Sequence, residues 1–138
     1  MKIAIAMPPN FGEIVAALPE ARGPLTVFCY GDTIYNPGGG RVTAALKAHE
    51  SVHSVRQGDT EQTIREWWRN YIASAKFRLD EELPAHRAEY AFFCGQERDK
   101  EKRHRFLVQT AQRLSGPLYG GLISFDTAKH AIKDQANA

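Results

Sequence analysis

Three short runs of β-forming residues before position 36, and helical apolar spacing through most of the remaining chain, predict an α+β fold in which a small N-terminal β-sheet packs on a helical layer. No internal repeat, low-complexity tract or interdomain linker interrupts the pattern, so residues 1–138 read as a single domain. That length buries a sizeable core without disulfides.

The first apolar run, Ile3-Ala4-Ile5-Ala6, is stopped by Pro8-Pro9 and reads as a strand. Asn10 is placed to cap a short helix that continues to Leu18, where Pro19 ends it. Leu25 to Tyr30 is rich in β-formers, and Gly31-Asp32 separates it from Thr33-Ile34-Tyr35, so two strands joined by a tight turn are expected. Pro37-Gly38-Gly39-Gly40 makes a flexible loop. From Val42 to Gln57, residues Val42, Leu46, His49, His53 and Arg56 recur at helical spacing, with Gly58 as the C-terminal cap. Asp59 and Gln62 have the spacing of a capping box, opening a helix whose Ile64, Trp67, Trp68, Tyr71 and Ile72 form a broad apolar stripe. Both tryptophans are assigned to the core. A further helix is expected from about Phe77 to Phe93, with Leu79, Glu82, Leu83, His86, Tyr90 and Phe93 on one side. The charged stretch Glu97 to Arg105 continues helically to Leu114, and a last helix runs from Ser124 to near Ile132.

Composition narrows the classes of partner. The net charge of +2 is too small to point to nucleic acid or an anionic membrane. The run Arg98-Asp99-Lys100-Glu101-Lys102-Arg103-His104-Arg105 is interrupted by acids and lacks interleaved aromatics, so it reads as a solvated helix face. Cys29 and Cys94 lack CxxC spacing and sit among apolar neighbours, as small buried thiols do. No apolar run has the length of a signal peptide or a membrane span, so a reducing cytoplasm is the expected location.

The residues that carry chemistry are His49-Glu50-Ser51-Val52-His53, an HExxH motif inside a helical stretch. With 5 His and 10 Glu in the chain, chance produces such a run in about one sequence in a hundred. Four residues apart on a helix, His49 and His53 project from one face and can bind one metal ion. Glu50 lies beside that face, where its carboxylate can take a proton from a water on the metal. A catalytic zinc site needs a third protein ligand, to be found among downstream carboxylates or imidazoles.

The motif resembles that of the zincin metallopeptidases, and among them the gluzincins, whose third ligand is a Glu on a later helix. In several such families that Glu opens an E-x-x-A motif, and Glu82-Leu83-Pro84-Ala85-His86 has this form, 29 residues after His53. More narrowly, Tyr30-Gly31-Asp32-Thr33-Ile34-Tyr35-Asn36-Pro37, Gln57-Gly58-Asp59, Trp67-Trp68, Phe77-Arg78-Leu79 and Pro117-Leu118-Tyr119-Gly120 resemble small HExxH proteins of tailed phages and prophages. The resemblance implies a minimal zincin-like fold, Zn2+ held by His49, His53 and Glu82, and a peptide or protein substrate. It implies amide hydrolysis with Glu50 as general base and a further donor for the oxyanion, for which Tyr119 is the first choice and His86 and Arg87 come next. It places the protein in a bacterial host's cytoplasm or with a virion. The departures are Pro84, which would kink a helix, and His86, which stands where Asp or Tyr is expected; Glu81, His86 and Glu89 remain rival third ligands. A non-catalytic, zincin-like scaffold acting as a structural or interaction protein is the competing reading. A strand just before the HExxH helix could offer an open edge to an extended peptide. The sequence leaves the oligomeric state and the substrate open.

Overall fold

The computed structural model describes residues 1–136. Its sheet has three strands, β1 (Lys2–Ala4), β2 (Phe28–Tyr30) and β3 (Thr33–Tyr35), in the order β1-β3-β2. Central β3 pairs antiparallel with β2 and parallel with β1, so Ile34 lies between Ile3 and Cys29 and is fully buried. The parallel pairing requires a crossover, supplied by α1 (Phe11–Ala17) and a 3-10 turn (Pro19–Arg22). Five helices complete the fold: α2 (Ala44–Gln57), α3 (Glu61–Ala73), α4 (Ala75–Gln96), α5 (Lys100–Ser115) and α6 (Phe125–Ala136), with a second 3-10 turn at Pro117–Tyr119. This is the expected α+β arrangement.

Several boundaries moved for local reasons. The first strand ends at Ala4, whose carbonyl accepts from the Asn36 N–H (2.8 Å) just past the end of β3; Ile5 is left exposed. Asn10 precedes α1, yet its side chain makes no capping bond. Helix α3 is capped one residue later than the Asp59/Gln62 spacing indicates. The Thr60 hydroxyl accepts from the Thr63 N–H (3.1 Å) and the Thr63 hydroxyl from the Thr60 N–H (3.4 Å), a capping box built from two threonines. Gly58, at φ 82°, is required between α2 and α3: a Cβ there would stand 2.6 Å from the Thr63 hydroxyl oxygen.

The largest departure concerns α4, the helix of Glu82. Its buried face carries Arg78, Glu81, Glu82, His86 and Glu89 beside Ala85 and Tyr90, whereas Leu79, Leu83 and Phe93 are only half-buried. Pro84 lies inside this continuous helix. The carbonyl it leaves without a helical donor is that of Asp80, four residues back, on an exposed residue of the helix.

One continuous cluster makes the core. It joins Trp67, Trp68 and Tyr71 of α3 and Ile14, Val15 and Leu18 to Leu107, Ala111 and Leu114 of α5 and Ala128 and Ile132 of α6, which lie against α4. Cys29 is buried, and burial, reinforced by the Glu50 charge, pushes its thiol well above the usual range; Cys94 is only half-buried. In the charged run, Asp99 caps α5 by accepting from the N–H groups of Glu101 and Lys102, and Arg103 bonds the carbonyls of Glu97 and Cys94 at the end of α4. Most of the rest is exposed. Among the described residues no helix is long and apolar enough to cross a membrane.

The strand before the HExxH helix, β3, has both edges paired and offers none to a peptide. The edge strand beside α2 is β2, and Gln57 holds it. This fully buried side chain accepts from the Gly31 N–H (2.7 Å) and donates to the Cys29 carbonyl (2.8 Å), which also accepts from the Trp68 indole (3.2 Å). Replacing Gln57 with Leu orphans the buried Gly31 N–H and should lower the stability by about 1–3 kcal/mol in urea titration, with the slope of the transition unchanged.

Candidate metal centre

Helix α2 sets His49 and His53 one turn apart with ring centroids 5.0 Å from each other, both facing α4. From α4, Glu82 enters between them. Its Oε1 lies 3.2 Å from His49 Nε2 and its Oε2 lies 3.1 Å from His53 Nε2. All three side chains are buried.

Two groups have ligand atoms within 4.8 Å of one another, His49 with Glu50 and His53, and His49 with Glu82 and His86, so the centre could hold a metal ion. Zinc–nitrogen and zinc–oxygen bonds of about 2.0–2.2 Å at tetrahedral angles place neighbouring ligand atoms about 3.3–3.6 Å apart, slightly more than the spacing of Glu82 from the two imidazoles. Hydrogen bonding supports the same assignment. His49 Nδ1 lies 2.9 Å from Glu89 Oε1. A carboxylate there can only accept, so a hydrogen sits on Nδ1, and whenever the ring is neutral its Nε2 lone pair points toward Glu82. Glu82 Oε1 is buried without a hydrogen-bond partner. Lone pairs converging in a buried place need a cation. Without a metal a proton serves: burial opposes it, but the Glu82 and Glu89 carboxylates raise His49 to about 10. Burial likewise works to raise Glu82, and the two imidazoles outweigh it, holding that carboxyl well below its usual range.

The rival ligands separate by their partners. Glu81 points away, paired with Arg56 (2.8 and 2.5 Å) and the Trp67 indole (2.6 Å). Glu89 bonds His49 through one oxygen and Arg113 (2.5 Å) through the other; against the effect of burial, these contacts lower it to about 2. It is placed to orient His49, as carboxylates behind metal-bound histidines are. His86 donates from Nδ1 to the Glu82 carbonyl (2.7 Å), and burial, helped by the His49 charge, depresses it to about 3, so it is a neutral ring whose buried Nε2 has no partner. Its ring lies 4.6 Å from that of His49, and it forms with His49 and Glu82 a second group of potential ligands. His53 has no orienting carboxylate: its Nδ1 is unpartnered and its ring edge packs on Trp67 at 5.3 Å.

Glu50, the sequence candidate for general base, is 4% exposed and makes no hydrogen bond among the described residues. Burial raises its pKa, partly offset by the two imidazoles. Its side chain borders a cavity of about 50 Å³ shared with His49, His53, Tyr71, Glu82 and Tyr119. A water needs roughly 10–15 Å³ of such space, so the cavity has room for water beside these side chains. Tyr119 stands on the 3-10 turn after α5, with its ring 5.5 Å from His86 and its hydroxyl free of any partner among the described residues. Arg87 is turned away, bonded to the Ala131 carbonyl (2.9 Å) on α6, and is unavailable as an oxyanion donor.

Three contributors escaped sequence reading. Tyr71, placed in an apolar stripe, donates its hydroxyl to Glu82 Oε2 (2.6 Å). Buried Arg78 ties the carbonyls of Tyr71 (2.6 Å) and Tyr119 (2.8 Å), joining α3 to the Tyr119 turn through α4. Arg113 balances Glu89 from α5. A tyrosine at core spacing or an arginine on a charged helix carries no local mark of such a role; only the single buried arginine of α4 breaks its own pattern.

The chain matches no family model, no curated protein and no solved structure. The centre therefore stands on its own geometry: buried His49, Glu50 and His53 on one helix, Glu82 and His86 on another, and space for an ion and water.

Glu89→Gln removes the charge behind His49 and should weaken zinc binding about 10–100-fold in competition with a chelator. Because His49 keeps a proton up to about pH 10, metal uptake displaces it; affinity should rise roughly tenfold per pH unit between pH 6 and 8, with proton release visible by calorimetry in buffers of different ionisation enthalpy.

Proposed function

We propose that this chain is a zinc-dependent peptidase in which His49, His53 and Glu82 hold the ion and Glu50 is the general base. The observation that carries the reading is the convergence of two imidazoles on the two oxygens of Glu82, beside an unpaired, buried Glu50 carboxylate that opens on the same cavity. Two imidazoles and one carboxylate suit zinc, and a divalent ion bound there supplies Lewis acidity, acidifying water and polarising a carbonyl. Glu50 takes the proton from the attacking water and passes it to the leaving amine. Its raised pKa brings the carboxyl nearer to the working pH of such a proton carrier. The Tyr119 hydroxyl, kept protonated by burial, donates to the developing oxyanion. Tyr71 and Glu89 hold Glu82 and His49 in position. The resemblance to zincin metallopeptidases and to phage-encoded HExxH proteins supports the reading and extends it to a bacterial host's cytoplasm or a virion.

The enclosure favours a second reading, a non-catalytic scaffold whose metal only stabilises the fold: the ligands are 3–4% exposed and the cavity is narrow. Elemental mass spectrometry of untagged protein separates these readings. Near one zinc per chain is expected, lost in His49→Ala, His53→Ala and Glu82→Ala. Glu50→Gln should keep zinc and stability while hydrolysis of a peptide library falls by about 10²–10⁴-fold. Zinc-loaded wild type that cleaves no peptide, including cell-wall peptides, would give the scaffold the better claim.

A further inference from the structure

Resting on the peptidase reading, we infer that the cavity selects a substrate residue with a small, uncharged, aliphatic side chain, of three carbon atoms at most, beside the scissile bond. The cavity has two unlike walls. One carries the candidate metal ligands with Glu50, Tyr71 and Tyr119; the other is built from Ile14, Leu18, Ala21, Val27, Phe28 and Leu118. No lysine, arginine or aspartate lines it, and the carboxylates that do, Glu50 and Glu82, repel an anionic side chain.

Volume sets the size limit. A cavity of about 150 Å³ holds a benzene molecule, and the present one, about 50 Å³, admits a group of roughly two or three non-hydrogen atoms. Its floor cannot easily yield. Ile14, Ala21 and Phe28 are buried members of the hydrophobic core and come from three different elements, α1, the first 3-10 turn and β2. Widening there would mean unpacking the core. Only Thr26, Val27 and Leu118 around it are half-buried. Beyond the candidate metal ligands, Glu50 and the two tyrosines, Thr26 alone brings a hydroxyl to the lining, so a polar side chain loses hydration on entry with little to replace it.

The test uses hydroxamic acids, which bind a site zinc without being turned over. Zinc-loaded full-length protein is titrated by calorimetry with acetohydroxamic, isovalerohydroxamic and phenylacetohydroxamic acids. Acetohydroxamate should bind at least 10-fold tighter than the phenylacetyl compound, against the order that apolar area alone would produce. Leu118→Ala and Val27→Ala, both at half-buried positions, should each narrow that ratio at least 10-fold, a gain expected when a pocket wall loses methylenes. Using both keeps the test valid if one variant fails to melt cooperatively. Equal or tighter binding of the phenylacetyl compound by wild type overturns the inference, as does a ratio unmoved in either folded variant, or absence of hydroxamate binding to a zinc-loaded chain. A chain that takes up no zinc sinks the peptidase reading and this inference with it. Selection as expected without cleavage of any alanine-containing peptide leaves the cavity's preference standing and removes only the hydrolysis.

Discussion

Where α2 meets α4, a carboxylate is held between two imidazoles away from bulk solvent, and the surroundings of that contact answer the demands it makes. Burying charge is expensive unless every group is paired, and breaking a buried pair by removing one member leaves the other stranded. The fold meets this demand in layers. Glu82 is bounded by His49, His53 and Tyr71, His49 is backed by Glu89, and Glu89 is balanced by Arg113, which is partly exposed. Charge thus alternates outward from the centre to the surface, with one buried oxygen of Glu82 left for a cation.

This requirement explains the unusual face of α4. A helix that packed its neighbours through leucines would turn Leu79 and Leu83 inward; here those residues are half-buried and the acids go inside. Hydrophobic stabilisation comes instead from the helices around it, through the Trp67-Trp68-Tyr71 cluster and the α5 and α6 contacts. The same tryptophans serve both purposes. Trp67 packs on His53 and donates to Glu81, which keeps that second acid of α4 facing Arg56 and away from the ligands.

The small sheet matters less for its area than for where it puts β2. Gln57, the last residue of α2, clamps the β2–β3 turn by its main chain, so Phe28 and Cys29 form a wall against the same helix that carries the histidines. Arg78 performs a comparable service across the cavity by holding the Tyr71 and Tyr119 carbonyls together. Rigid main-chain ties at both rims favour a centre that is preorganised and narrow over one that closes around its ligand.

The α+β class, the single helical HExxH and the pairing of His49 with His53 were legible in the sequence because they depend on spacing within one element, and helical geometry turns spacing directly into direction. Glu82 was legible only as one acid among several. Four candidates in α4 (Glu81, Glu82, His86 and Glu89) share similar local chemistry, and their rotation about the axis, together with the partners waiting on α2, α3 and α5, decided which one meets both imidazoles. Capping at Thr60 rather than Asp59 shows the same limit at small scale, since two threonines can satisfy the backbone as well as the expected pair. Sequence by itself determined the motif, the periodicity and the element order. Tertiary structure alone decided which acid of α4 meets the two imidazoles, its bond from Tyr71, the Arg78 ties across the rim and the size of the cavity, because each depends on atoms brought together from separate segments by packing.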